Sequence, residues 1–169
     1  MWRPDPSNVL ELARSAGLSL GSAESLTGGG VSASLTSVAG ASDVWRGGIV
    51  AYDAQVKASV LHVPLSVLEV AGPVSADTAL AMAHGGRAVL GADLVVATTG
   101  VAGPDPHAGK TAGCVVVAVA GPGIAMVRSF AFKGGRANVV DQSIDAALAL
   151  LFEALGGQMP SGRGFGEQL

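Results

Sequence analysis

At 169 residues the chain suits one domain with a sizeable core, and 49 % of it is apolar against 14 % charged. A formal net charge of −3 without a Lys/Arg cluster leaves no electrostatic footprint for nucleic acid. No apolar stretch reaches the ~18 residues needed to span a bilayer, so neither nucleic acid nor a membrane is an expected partner.

In chain order, residues 1–6 read as a loose start. Ser7 offers an N-cap to the helix "NVLELARSAG", whose Val9, Leu10 and Ala13 share a face and whose Gly17 stops it. "LSLGSA" reads as a short strand ending at the motif "AESLTGGG". A small-residue helix, "GGGVSASLTSVAG", is expected to run to Gly40. "GGIVAY" then reads as a strand and "DAQVKASVLHV" as a helix lasting until Pro64. Ser75 caps a longer helix, "ADTALAMAHGGRAVLG". "ADLVVATTG" is a continuous apolar run, the mark of a strand covered on both faces. "GCVVVAVAG" and "IAMVRSFAF" flank Pro122-Gly123 as a hairpin, and Asn138 to Leu155 reads as the last helix. The pattern predicts a layered α/β/α single domain over residues 1–155, its mixed sheet including an antiparallel hairpin, followed by a disordered Gly-rich tail over 156–169.

Mean hydropathy is +0.49, carried mostly by alanine and valine. So thinly charged a surface predicts further burial between subunits, hence a homo-oligomer. The single cysteine, Cys114, cannot form an internal disulfide. With no secretory signal it points to a reducing, cytoplasmic setting and reads as a structural thiol in an apolar strand.

Sites in open α/β sheets collect where strand ends lead into loops and helix N-termini. "AESLTGGG", "GGIVAYDAQVK" and "TTGVAGPDPHAGK" all have that placement. Gly28, Gly29 and Gly30 permit close backbone approach, which serves a phosphate, an oxyanion or a plain structural turn equally well. They lack the spacing of a P-loop or a dinucleotide fingerprint. A serine nucleophile needs a base, and no acid is spaced to pair with His62, His84 or His107. No His/Cys/acid cluster has metal-ligand spacing, so no metal or other cofactor is expected. Lysines are scarce, only Lys57, Lys110 and Lys133, and Lys57 follows the sole tyrosine, Tyr52, by five positions. A lysine whose pKa is lowered by burial can serve as the base, although a solvated helix lysine fits the same spacing. Thr98 and Thr99 end a strand and offer hydroxyls to a polar ligand group, or simply close a connection.

Together, "AESLTGG", "GASDVWRGGIVAYDAQVK", "GPVSADTALAMAHG" and "TTGVAGPDP" resemble, in this order, the C-terminal domain family of the competence/damage-inducible protein CinA. The resemblance covers roughly Leu10 to Leu155. It implies a nicotinamide-nucleotide amidase, a metal-independent enzyme of pyridine nucleotide recycling. Such an enzyme converts nicotinamide mononucleotide to nicotinic acid mononucleotide and ammonia. The family's nucleophile falls on Ser25, its tyrosine and lysine on Tyr52 and Lys57, and its T-G-x-A-G-P loop on Thr99, Gly100, Ala102, Gly103 and Pro104.

On this reading Ser25 attacks the carboxamide, Lys57 is base and then proton donor to ammonia, and Tyr52 orients or relays the proton. Backbone N–H groups around Thr27, Gly28 and Gly29 hold the oxyanion. Glu24 holds the ribose or a nearby positive group, and the Thr99 loop holds the phosphate. Leu26 stands where the family has cysteine. In the family's G-D-R-x-x-x-R pattern Arg136 is kept, Gly135 replaces the acid and Val140 the second arginine. "DPHAGKTAG" also departs from the family loop and leaves His107 and Lys110 as local substitutes. The pyrophosphatase activity of the family's larger N-terminal domain is not carried over. Two alternatives stand beside the amidase: a non-catalytic nucleotide-binding module of the same fold, and an amidohydrolase for another small amide.

Overall fold

The computed structural model describes residues 3–158. Helix α1 (Pro6–Ala16) leads into β1 (Leu20–Glu24), α2 (Gly30–Thr36), a 3-10 turn (Ala41–Asp43) and β2 (Trp45–Val50). Helices α3 (Ala54–Ser59), α4 (Leu65–Val70) and α5 (Ala76–Leu90) follow, then β3 (Leu94–Gly100), β4 (Cys114–Gly121), β5 (Ile124–Ala131) and α6 (Arg136–Ala154). The sheet order is β2-β1-β3-β4-β5. Strand β1 runs parallel to both β2 and β3, and β4 runs antiparallel to β3 and β5. The β4–β5 hairpin turns at Pro122-Gly123, as its sequence predicts.

Alternating residues of the central strands enter two separate cores. Leu94, Val96, Val115, Val117 and Val119 pack with α1, α2 and α6. Val95, Ala97, Val116, Ala118 and Ala120 pack with Ala79, Met82 and Ala83 of α5. Both faces of the sheet are thus covered, giving the expected α/β/α layers. Small residues in α5 have a packing cause: the helix lies so close to its neighbours that two of its positions have no room even for a Cβ. A Cβ on Gly86 would come within 2.9 Å of Val95 Cγ1, and one on Gly85 would collide with the carbonyl oxygen of Leu61.

Several boundaries differ from the sequence expectation, each for a local reason. Helix α1 begins at Pro6, whose missing N–H costs nothing in the first turn, and Asp5 rather than Ser7 caps it. Asp5 Oδ1 accepts from Ser7 N at 2.9 Å and Ser7 Oγ at 2.7 Å. Helix α2 stops at Thr36 rather than Gly40, where Thr36 and Ser37 hydroxyls bond back to the carbonyls of Ser32 and Ser34. The helix expected up to Pro64 ends at Ser59, and His62 takes a left-handed φ of 54° to turn the chain. Helix α4 has no counterpart in the sequence reading, and α6 starts at Arg136 rather than Asn138. From residue 159 onward, the expected tail lies outside the described residues, as do the first two residues of the loose start.

Gly85 supplies a test of this packing. A Gly→Ala change inside a helix normally stabilises by about 1 kcal/mol. At Gly85 the added methyl meets backbone, which cannot rotate away. Gly85→Ala is expected to lower stability by about 1–3 kcal/mol in chemical denaturation, and a raised midpoint would contradict the packing.

Candidate active site

From β1 the chain moves to β2 on one side, then crosses to β3 on the other. The connections that leave β1 and β3 therefore run to opposite sides, and the crevice between the C-terminal ends of these two strands is where ligands bind in open α/β sheets. The three segments singled out in the sequence meet here, around a cavity of 620 Å³ lined by Ser25, Tyr52, Lys57, Thr99, His107 and Arg136 among others. Ser25 and Lys57 are 7 % and 2 % exposed, whereas Tyr52, His107 and Arg136 are exposed. The cavity thus has a buried floor and a polar mouth.

Lys57 is positioned by Asp53, which caps α3 by accepting from Gln55 N at 2.7 Å. The capped helix turns Lys57 back under the end of β2. Its Nζ lies 3.0 Å from Ser25 Oγ, 3.0 Å from the carbonyl of Ala51 and 3.1 Å from that of Tyr52. Burial pushes the ammonium down from its ordinary 10.5 to about 8, and the Asp53 charge opposes part of that shift. As an ammonium, Nζ donates to all three oxygens. Once it loses a proton, two N–H groups remain for the two carbonyls and the lone pair faces the Ser25 hydroxyl. That is the arrangement of a nucleophile with its base.

The glycine-rich turn is organised from below by Glu24, which is fully buried. Glu24 Oε1 accepts from Ser22 Oγ (2.9 Å), Ser32 N (2.9 Å) and Ser32 Oγ (2.7 Å). Oε2 accepts from Thr27 Oγ1 (2.7 Å), Gly29 N (3.0 Å) and Val31 N (3.1 Å). Glu24 therefore occupies the α2 N-terminus itself, and its expected contact with substrate is corrected: no free oxygen faces the cavity. Gly28 and Gly29 have φ of 58° and 98°, the left-handed conformations that make the turn possible. Their N–H groups are also taken, Gly28 N by Ser25 O at 3.1 Å and Gly29 N by Glu24, so neither is available to an oxyanion. Glu24, Gly28, Gly29 and the side chain of Thr27, which is tied to Glu24 and Thr98, lie behind the cavity wall rather than in it.

Thr99, Gly100, Ala102 and Gly103 do line the cavity, but the Thr99 hydroxyl donates to Pro73 O at 2.6 Å. The N–H groups of Ala102 and Gly103 have no acceptor among the described residues. Arg136, at the first turn of α6, donates to Gly103 O at 3.0 Å and to the Tyr52 hydroxyl at 2.7 Å. The Tyr52 hydroxyl accepts from Arg136, and Lys57 Nζ meets the Tyr52 backbone carbonyl. Val140 packs against the core and is not in the cavity wall. His107 lines the mouth, paired through its backbone with Lys110 across a tight turn.

Leu26, Asp53, Pro73, Val74 and Asp105 also line the cavity, and sequence reasoning did not assign them to the site. Only Asp53 carried a readable signal, an acid directly before a helix. Among the described residues, no group of three or more His, Cys, Asp or Glu is arranged to hold a metal ion, and no helix is long and apolar enough to cross a membrane.

With this geometry in hand, the likeness to known proteins is extensive. The family described as the CinA C-terminal domain matches residues 5–155. A "CinA-like protein" of Frankia casuarinae is 44 % identical over 149 residues, covering 88 % of this chain and 34 % of that protein. A "Putative competence-damage inducible protein" of Desulforamulus reducens is 42 % identical over 143 residues, covering 85 % of this chain and 35 % of its own length. The chain thus spans about a third of the length of these curated relatives. A solved CinA superfamily protein from Klebsiella pneumoniae superposes with a TM-score of 0.86 at 32 % identity, covering 89 % of this chain and 95 % of that one. A competence/damage inducible protein from Agrobacterium tumefaciens gives 0.80 at 34 % identity, with 92 % and 99 % covered. The chain belongs to the CinA C-terminal domain family.

Proposed function

We propose that the protein is a serine–lysine amidase that hydrolyses nicotinamide mononucleotide to nicotinic acid mononucleotide and ammonia. The observation that carries this reading is the buried Lys57 Nζ, 3.0 Å from Ser25 Oγ on the floor of the cavity. Neutral Lys57 takes the Ser25 proton as Oγ bonds to the carboxamide carbon, and the carbonyl oxygen becomes an oxyanion held by N–H groups of the β1–α2 turn. Lys57 returns that proton to nitrogen as the C–N bond breaks and ammonia leaves. Water then attacks the acyl ester, giving one proton to Lys57, which restores the Ser25 hydroxyl as the acid departs.

The substrate's shape fits a buried floor and a charged mouth. The amide reaches the floor, and the carboxylates of Asp53 and Asp105 suit the positive charge of the pyridinium ring. The phosphate meets Arg136, which has donors left after binding Gly103 and Tyr52, together with the N–H groups of Ala102 and Gly103.

Ser25→Ala and Lys57→Ala are each expected to lower ammonia release from nicotinamide mononucleotide by at least about a thousandfold. Release equal to wild type from both variants would falsify the dyad. Because only neutral Lys57 accepts the proton, kcat/KM is expected to rise tenfold per pH unit below about 8 and to level off above it. A flat profile between pH 6 and 9 removes Lys57 as the base. Arg136→Ala is expected to raise KM for nicotinamide mononucleotide by about tenfold to a hundredfold while KM for the phosphate-free riboside changes little. Equal effects on both substrates place the phosphate elsewhere.

A further inference from the structure

We infer that Glu24 and Thr27 are positioning residues, which act through the backbone to aim the N–H groups of Leu26 and Thr27 at the carbonyl oxygen under attack by Ser25. This inference rests on the amidase reading above and assigns the donors of its oxyanion site.

The assignment comes from accounting for every N–H in the turn. Ser25 N donates to Thr98 O at 2.9 Å, Gly28 N to Ser25 O at 3.1 Å, and Gly30 N to Thr27 O at 2.9 Å. The N–H groups of Gly29, Val31 and Ser32 all donate to Glu24. Leu26 and Thr27 are left, their N–H groups without an acceptor among the described residues although each residue is only 5 % exposed. Buried N–H groups are rarely left unpaired, because desolvating a donor without a partner is unfavourable. These two follow the nucleophile directly in the chain, and Leu26 lines the cavity. Their missing acceptor is the oxygen that gains charge when Oγ bonds to the carbonyl carbon.

A donor helps most when it is already fixed, so that nothing reorganises as charge develops. Thr27 is fixed from two sides. Its hydroxyl has one proton, which goes to Glu24 Oε2 at 2.7 Å, and its lone pair accepts from Thr98 Oγ1 at 2.8 Å. The turn is thereby tied to β3 through Thr98 and to the α2 N-terminus through Glu24. The carboxylate's own charge is spread over six donors, so it braces the turn without presenting a bare anion to the site.

The test compares Thr27→Val and Thr27→Ser with Asp5→Ala, which removes the distant α1 cap and weakens the fold without touching the turn. Steady-state ammonia release from nicotinamide mononucleotide is measured at a temperature where far-UV circular dichroism shows all variants folded. Thr27→Val is expected to lose about tenfold to a hundredfold in kcat with KM nearly unchanged, since the contact forms only in the transition state. Thr27→Ser, which keeps the hydroxyl, is expected to stay near wild type, and Asp5→Ala to melt earlier at unchanged kcat. Wild-type kcat in Thr27→Val, with Ser25→Ala inactive, overturns this inference and leaves the amidase intact. An equal loss of kcat in Asp5→Ala also overturns it. Wild-type protein releasing no more ammonia than Ser25→Ala overturns the amidase and this inference together.

Discussion

One buried carboxylate organises the cavity end of this domain. Glu24 accepts six hydrogen bonds, one from Ser22 and five from the segment that follows it, with no cation among its partners in the described residues. The pull of N–H groups at the start of a helix on a negative charge usually recruits a ligand phosphate. Here the chain supplies the anion itself, seven residues before Val31. That choice decides what the neighbouring surface is for. With the helix start satisfied internally, the turn above it is left to place Ser25.

The second constraint is the burial of Lys57. An amine with only 2 % exposure is costly to keep charged, and the two carbonyls beside it satisfy two N–H groups whichever state it is in. The lone pair released by deprotonation has one neighbour with a proton to give, Ser25 Oγ. Under the proposed mechanism, the same burial that lowers the pKa also sets the direction of proton transfer. At the mouth the situation is reversed: Arg136 is exposed, and it braces Tyr52 and Gly103. In the proposed reaction the buried floor serves the chemistry and the exposed mouth serves recognition.

Much of this was legible before any coordinates. Continuous apolar runs gave β3 and β4, and both prove to be covered on two faces by α1, α2 and α6 on one side and α5 on the other. Ser25 and Lys57 stood out because a hydroxyl at a strand end and a scarce lysine share one end of the predicted sheet. The catalytic roles proposed for them rest on the family resemblance rather than on spacing. Helix ends were less legible: Pro6 outranked Ser7 in setting the start of α1, and a left-handed His62 cut short a run whose periodicity looked helical. The short α4 buries only Val67 and Leu68, and only in part, while Leu65 and Val70 are exposed, so it leaves little pattern in the sequence.

What the sequence by itself determined was the layered α/β architecture, the strand ends where polar residues gather, and the residue types available there. These follow from hydrophobic periodicity and turn chemistry, which are local in the chain. Only the tertiary structure decided that Glu24 faces inward, that Tyr52 is held by Arg136 from 84 positions away, and that Lys57 meets Ser25 across 32 residues of sequence. The physical reason is that hydrogen-bond partners and desolvation depend on which groups are brought together in space. An acid next to a serine reads the same in a sequence whether it points at a ligand or beneath the turn that carries the nucleophile.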